Sequence, residues 1–382
     1  VQPPPPPGPT AARPPRTGLA AVLTPLGRGT LAGSVALYAA GFALGYPEPV
    51  VLATGALLAL AAALAWTAPK PRLEVRREVT PLKVPRGDAA VAVLSVTNLG
   101  RRGLSGLRAQ DRIGSSEHTV DLPRLPKGAV RTVSYPLPTD TRGEIPVGPL
   151  VLVRADPFGL TRRLREYGGP VTLLVRPRTV ALPVPPSGRA HHLEGPASDN
   201  APAGTVTFHT LREYVLGDDL RHVHWRSSAR TGTLMVRQFI DAGLPTTTVL
   251  LDTRGLTEPA VDAAASAAVA AARAGFPVRV LTGDGPMPGT KPDPEAVLDR
   301  LALVRPGTAG VTEALRAARG GGSLVLVTGD PSEAGRVAGA RRRFDRVICV
   351  YVGPGPVPAG PPGVTVVRIA SLDELPAAWG TR

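Results

Sequence analysis

TTTVLLDTRGLTEPAVDAAASAAVAAARAG, residues 246–275, decides the fold of the second half of this chain. Residues 246–252 are a short apolar run rich in β-branched side chains and ending in Asp252, the pattern of a buried strand. Residues 257–274 then read as an Ala-rich helix. Thr257 stands as N-cap, Pro259 lies in the first turn and Gly275 falls just past the end. Working outward, further strands are predicted at 278–281, 324–328, 347–352 and 364–369. Helices are predicted at about 294–304, 311–319 and 332–342, and Ser371-x-x-Glu374 reads as a capping box opening a last helix. Strands alternating with helices imply a parallel sheet covered on both faces, so residues 242–382 are expected to form an α/β domain.

The first half is written differently. Between 72 and 185 short β-rich runs such as LEVRREV, AAVAVLSVTN, VRTVSYPL and PVTLLVRP are punctuated by Gly, Pro and Asn. Alternating apolar and polar positions at this spacing predict an antiparallel β-sandwich over 70–185. Within it, Asp156-Pro157-Phe158-Gly159 reads as a turn whose Phe tucks back under the sandwich. Two uncharged apolar runs, 31–46 and 50–67, precede it and are split by Pro47-Glu48-Pro49. Each is near the lower limit of the roughly 17–25 residues that span a bilayer. A two-helix transmembrane hairpin is therefore expected over 30–67, with Gly41, Gly45, Gly55, Ala59 and Ala63 forming a small-residue face for close helix approach or self-association. Arg13, Arg16 and Arg28 lie before the hairpin, Lys70, Arg72, Arg76 and Arg77 after it, and the connecting loop has no basic residue. That asymmetry places both termini and the soluble domains in the cytoplasm, with the protein in the bacterial cell membrane. Residues 1–29 are Pro-rich and read as a disordered, solvated tail.

Residues 186–241 join the halves. Their densest part, HTLREYVLGDDLRHVHWRSSARTGTLMVR (209–237), gathers Arg212, Glu213, Tyr214, Gly217, Asp218, Asp219, Arg221, Trp225, Arg226 and Arg230. Enclosed charges are costly unless paired, so a paired polar network or a docking face is expected here. Asp218 and Asp219 are adjacent, so their side chains diverge. They are read as capping the following segment and pairing with Arg221, Arg226 or Arg230, not as a general acid and base.

Leu211–Tyr214, Gly217–Arg221 and Trp225–Arg230 together resemble the signature of bacterial domain-of-unknown-function family 58. The Arg-Gly before a strand and the Asp-Pro-Phe-Gly-Leu after it, within 139–163, resemble the same family. The resemblance implies a membrane-anchored protein associated with MoxR-type AAA+ ATPases, and it implies no reaction. The expected sheet of 242–382 also resembles the von Willebrand factor A-like fold, in which Asp-x-Ser-x-Ser holds a divalent ion. Here the run is Asp252-Thr253-Arg254-Gly255-Leu256, with Arg254 and Leu256 where the serines would be. An Arg at that place puts a cation in the site. Thr253 and Asp330 are the oxygens left for Mg²⁺, fewer than a hard cation needs, and no cofactor is expected.

Other chemistry is thinly represented. His222 and His224 would share a face on a strand, but a transition-metal site needs Asp219 or His209 as an assumed third ligand. Neither a phosphate-binding Gly-x-x-x-x-Gly-Lys-[Ser/Thr] loop nor a Gly-x-Ser-x-Gly elbow occurs. The lone Cys349 sits in the apolar run VICVYV and reads as a small core hydrophobe. The formal charge is +14 with 4% aromatic residues, and no basic run is interleaved with aromatics. That argues against nucleic acid and for a basic protein near a membrane surface. The sequence thus predicts a non-catalytic membrane-anchored adaptor. Two alternatives remain at this stage. One is a metal-dependent hydrolase using Asp218, Asp219, His222, His224 or Asp252; the other is an envelope-assembly or stress-response component recruiting partners through its Pro-rich tail.

Overall fold

The computed structural model describes residues 22–69, 71–184, 206–214, 223–241, 245–283, 285–287, 293–357 and 360–380, with only the backbone for 206–210, 212 and 237–241. The tail expected over 1–29 is described from residue 22 on, and 185–205 lie outside the described residues. The chain divides into two units, Val1–Arg176 and Pro177–Arg382.

The first unit opens with helices α1 (Pro25–Leu44) and α2 (Pro47–Thr67), packed on one another. Thr24 caps α1, its hydroxyl accepting from Gly27 N at 3.0 Å, and the helix stops at Gly45 with φ 69°, a conformation that favours Gly. The helices meet at Gly41, where an added Cβ would press on the Val50 side chain. Around Gly55 nothing is within 4 Å, whereas Ala63 is buried. Part of the expected small-residue face is therefore used inside the unit. Phe42, Leu44, Val51, Leu52 and Leu58 point outward. Among the described residues α2 is the one helix long and apolar enough to cross a membrane.

Nine strands follow. β1 (Leu73–Thr80), β3 (Ala90–Asn98) and β6 (Val130–Leu137) form one antiparallel sheet. β2 (Lys83–Pro85), β9 (Val171–Arg176), β7 (Gly143–Ala155), β4 (Leu107–Ile113) and β5 (Ser116–Leu122) form the second, with β8 (Arg162–Tyr167) also on β7. The sandwich is antiparallel except at Lys83–Pro85, where β2 runs parallel to β9. β3 alternates buried and half-buried positions along its length, and both sheets share one apolar core around Leu94, Leu150 and Leu173.

The Asp156 turn is not packed as its sequence suggested. Phe158 is 70% exposed and does not tuck under the sandwich; Leu160 is the buried side chain. The cause is local hydrogen bonding. Asp156 accepts from Phe158 N (2.9 Å) and from Thr161 N, which holds the turn tight and turns its tip outward. The turn then receives the helix pair. Leu160 O accepts from Thr24 N (3.0 Å), and the Thr161 hydroxyl lies 3.1 Å from both Ala63 O and the Thr67 hydroxyl. At Gly27 a Cβ would overlap the Leu160 carbonyl, so this helix turn must be Gly. Burial works to raise the Asp156 carboxyl's pKa, but the bonds from Thr161, Phe158 and Leu160 outweigh it and hold the group below its ordinary value. A carboxylate with a lowered folded value stabilises above its unfolded pKa, and that contribution is lost as pH falls from about 4 through the folded value. Asp156→Ala is expected to lose about 1–3 kcal/mol at neutral pH. Its urea midpoint should change less between pH 6 and pH 3 than that of the parent; an equal change would refute the assignment.

In the second unit β10 (Val206–Glu213) and β11 (Met235–Asp241) pair as an antiparallel ribbon, with short helix α3 (Trp225–Thr231) between them. The main sheet has the order β14-β13-β12-β15-β16-β17. Its strands are β12 (Thr247–Leu251), β13 (Val278–Thr282), β14 (Gly285–Pro286), β15 (Ser323–Thr328), β16 (Arg346–Val352) and β17 (Val364–Ile369). All pairs are parallel except β13 with β14.

Helices α4 (Glu258–Arg273), α5 (Pro294–Ala302) and α8 (Leu375–Gly380) close one face. Helices α6 (Val311–Ala317) and α7 (Glu333–Arg336), with a 3₁₀ turn after α7, close the other. The expected two-sided cover is present. α4 is buried nearly all round because residues 178–182 cross its back. Arg178 N donates to buried Asp262 (2.8 Å), and Val180 N donates to Ser266 (3.1 Å). The expected capping box is replaced by a different arrangement: Ser371 makes no side-chain cap bond, and Glu374 accepts from Ala370 N at 2.9 Å, with a 3₁₀ turn intervening before α8.

Candidate functional site

After β12 the chain turns to one side of the sheet, and after β14 it returns to the other side as β15. The carboxyl ends of β12 and β15 therefore flank a topological switch point, the place where open α/β sheets hold ligands. Asp252 follows β12, Thr328 ends β15, and Glu333 opens α7. All three are buried.

Into this group reaches Arg254. Asp252 Oδ1 accepts from the backbone N and Nε of Arg254, both at 3.1 Å. Asp252 Oδ2 accepts from Arg254 Nη2 (3.1 Å) and the Thr328 hydroxyl (2.8 Å). A carboxylate offers about four acceptor positions, so Asp252 is saturated. Glu333 Oε1 takes a short bond from Arg254 Nη2 and another from Arg336 Nη1 at 2.6 Å. Hydrogen bonds to Asp252 and then Glu333 raise the Arg254 pKa further, so its charge is permanent. Asp330 lies nearby, accepting from Ser332 N (2.9 Å). Its pKa is lowered by the bonds from Ser332, against the effect of burial. The Thr253 hydroxyl is buried without a partner among the described residues. Burial and the nearby Glu333 push the Cys349 thiol up to about 12, which keeps it neutral.

Beside Asp252 stands a guanidinium two residues along the chain, which donates to both carboxylate oxygens. Asp252, Thr253 and Asp330 do converge on one edge. Sequence reasoning missed Thr328 and Glu333. The acid three residues after Asp330 in VTGDPSE was the available signal.

The second candidate is the signature. His224 does not lie in a strand facing His222. It is the N-cap of α3, its Nδ1 3.2 Å from Ser227 N and 2.8 Å from the Ser227 hydroxyl. His224 Nδ1 is thus engaged in capping α3; the capping and pairing expected of Asp218 and Asp219 lie outside the described residues. Ser228 is buried and braces the helix on β11, donating to His224 O (3.1 Å) and accepting from Met235 N (2.8 Å). The opposite face is open: Trp225 is 66% exposed, and Arg226 and Arg230 are exposed as well. Of the two expectations for this segment, a paired network or a docking face, the exposed ring of Trp225 is in keeping with the second, because the short helix buries Ser228 and not the aromatic ring. Tyr214 is half-buried with its N donating to Leu234 O (2.7 Å), and Glu213 is exposed. Gly217, Asp218, Asp219, Arg221 and His222 lie outside the described residues, as does the side chain of Arg212. Among the described residues no group of three or more His, Cys, Asp or Glu side chains is placed to hold a metal ion.

Residues 210–275, from the signature through α4, match the family model described as "Protein of unknown function DUF58". Over this segment the chain is similar to DUF58 proteins. The DUF58 match thus takes in the exposed α3 face and the Asp252–Arg254 pair, but not Thr328 or Glu333. No curated protein matches the chain. Among solved structures, the CARDB domain of PF1109 from Pyrococcus furiosus is 14% identical, with 28% of this chain and 94% of that one covered and a TM-score of 0.22. The C-terminal domain of wzt is 12% identical, over 28% of this chain and 78% of that one, with a TM-score of 0.22. The alkylpurine DNA glycosylase AlkC of Pseudomonas fluorescens, bound to DNA containing an abasic site analog, is 16% identical. That match covers 35% of this chain and 40% of AlkC, with a TM-score of 0.22. Strand pairing within the chain itself, not these likenesses, defines its architecture.

Proposed function

We propose that this protein is a non-catalytic adaptor, anchored in the membrane by its helix pair and presenting its soluble units to a cytoplasmic partner. The partner we propose is a MoxR-type AAA+ ATPase, and the second unit is read as a von Willebrand factor A-like domain. The exposed face of α3 carries the reading. Trp225, Arg226 and Arg230 stand in solvent on a helix locked from behind by Ser228. Exposed Trp and Arg on a rigid support are the residue types that dominate protein interfaces. A helix pair with Phe42, Leu52 and Leu58 facing outward supports the anchor. Saturation of Asp252 by Arg254 speaks against ion-centred chemistry at the sheet edge.

The full chain in detergent should bind the AAA+ ATPase, and Trp225→Ala should weaken that binding by about 2 kcal/mol or more, roughly thirtyfold in Kd. The melting profile should stay unchanged, because Trp225 packs on little. Unaltered binding with Trp225→Ala and Arg226→Ala combined would sink the docking face. Stoichiometric metal in the purified protein, lost with His224→Ala, would sink the adaptor reading.

A further inference from the structure

The turn that receives the helix pair has a solvent-exposed apex, held at its far end by the Thr24 hydroxyl, which donates to Gly159 O at 2.6 Å. Pro157, Phe158 and Gly159 are exposed, while Asp156 and Leu160 on either side are buried. Its depth follows from the contacts already described. Thr161 touches Ala63 and Thr67 in the last two turns of α2, and Leu160 touches Thr24 at the start of α1. The 21 residues of α2 rise about 31 Å, the thickness of a bilayer hydrocarbon core. A turn locked to the end of such a helix lies at the level where hydrocarbon gives way to headgroups.

The charge along the segments that meet at this turn is one-sided. In segments 22–31, 64–73 and 154–163 the single acid is Asp156, whose carboxylate is already hydrogen-bonded to Phe158 and Thr161. Arg28, Arg72 and Arg162 in the same segments are exposed. An apolar ring flanked by cations matches the headgroup layer of an anionic bilayer, where apolar side chains enter the acyl boundary and Arg meets phosphate.

We propose that the 157–159 apex is a membrane-interface anchor, seating Phe158 among anionic lipid headgroups and holding the sandwich against the bilayer surface. This rests on the membrane reading of the helix pair. It adds that the sandwich itself touches lipid, instead of standing off on a linker. The linker points the same way: Pro69 O and Pro71 O accept from Arg154 (3.0 Å) and Arg165 (3.1 Å). The chain leaving α2 is thereby clamped to strands β7 and β8.

Full-length protein in a Cys349→Ala background, reconstituted into phosphatidylglycerol or phosphatidylcholine vesicles, tests this with a polarity-sensitive fluorophore on Phe158→Cys or on Leu58→Cys. Leu58 is 66% exposed on α2 and reports insertion of the helix. Blue-shifted emission from both positions is expected, with the Phe158 probe quenched by bromine near the headgroup end of the acyl chain and the Leu58 probe by bromine deeper in it. The Phe158 shift should be larger with phosphatidylglycerol, and Arg28→Gln with Arg162→Gln should abolish that difference. A shifted Leu58 probe beside a water-exposed Phe158 probe would overturn the anchor while leaving the membrane reading standing. Both probes in water would overturn the two together. Equal Phe158 shifts in the two lipids would overturn the headgroup-charge assignment.

Discussion

Arg254→Ala is expected to destabilise the α/β unit by about 3–5 kcal/mol, the usual cost of removing one partner of a buried ion pair. Asp252 and Glu333 have fully buried side chains, and Arg254 is the group that touches both. Arg336 would still reach Glu333, but only Thr328 would remain on Asp252 among the described side chains. In urea, the midpoint for this unit should fall by roughly 2 M at ordinary slopes. Arg254→Ser should lose as much, since Asp252 and Glu333 are again left buried without their shared cation. A parent-like midpoint for Arg254→Ala would show that the tethered cation is not what stabilises this edge.

Arg77→Ala is expected to cost the sandwich about as much, ~3–5 kcal/mol, for the same physical reason. Arg77 on β1 and Tyr135 on β6 belong to one sheet, and Asp111 on β4 belongs to the other. Arg77 Nη1 donates to Asp111 Oδ1 at 2.7 Å, and the Tyr135 hydroxyl makes a short bond to Oδ2. Their side chains are 6% (Arg77) and 2% (Asp111) exposed, so water cannot replace the lost partner. The second Arg77 nitrogen donates to Gly169 O at 2.8 Å, tying the loop before β9 to the same clasp. Burial, followed by the bond to Asp111, raises the Tyr135 pKa, so the phenol remains a donor. Asp111→Ala should also destabilise, and Arg77→Met with Asp111→Leu should be better than either single change, because no charge is then left buried alone. Additive losses in that cycle would show that the pair is not coupled.

Both clasps show where reading the chain stops. Thr257, Pro259 and Gly275 bounded α4 correctly because an extended residue before the helix, a proline in the first turn and a left-handed glycine (φ 82°) are local requirements, although the Thr257 side chain makes no cap bond. The same holds for the strand ending before Asp252. Arg254 beside Asp252 could be read as a cation in an acidic site because two residues of extended chain cannot separate them. Glu333, 79 positions beyond Arg254, could not, since periodicity tells which face a residue occupies and not which distant residue shares it. Asp111 and Arg77, 34 positions apart, were silent for the same reason. Phe158 misled because an apolar residue in a turn has no period; the hydrogen bonds of Asp156 decided that it would face outward.

What the sequence alone determined was the class of each half, the alternation of strands and helices, the family signature and the presence of a cation, Arg254, two residues after Asp252. These follow from interactions within a few residues of chain. The tertiary structure decided that Asp252 is saturated, that His224 caps a helix, that Trp225 stands in solvent and that the Asp156 turn receives the helix pair. Each depends on which distant segments meet, and that is set by the packing of whole faces.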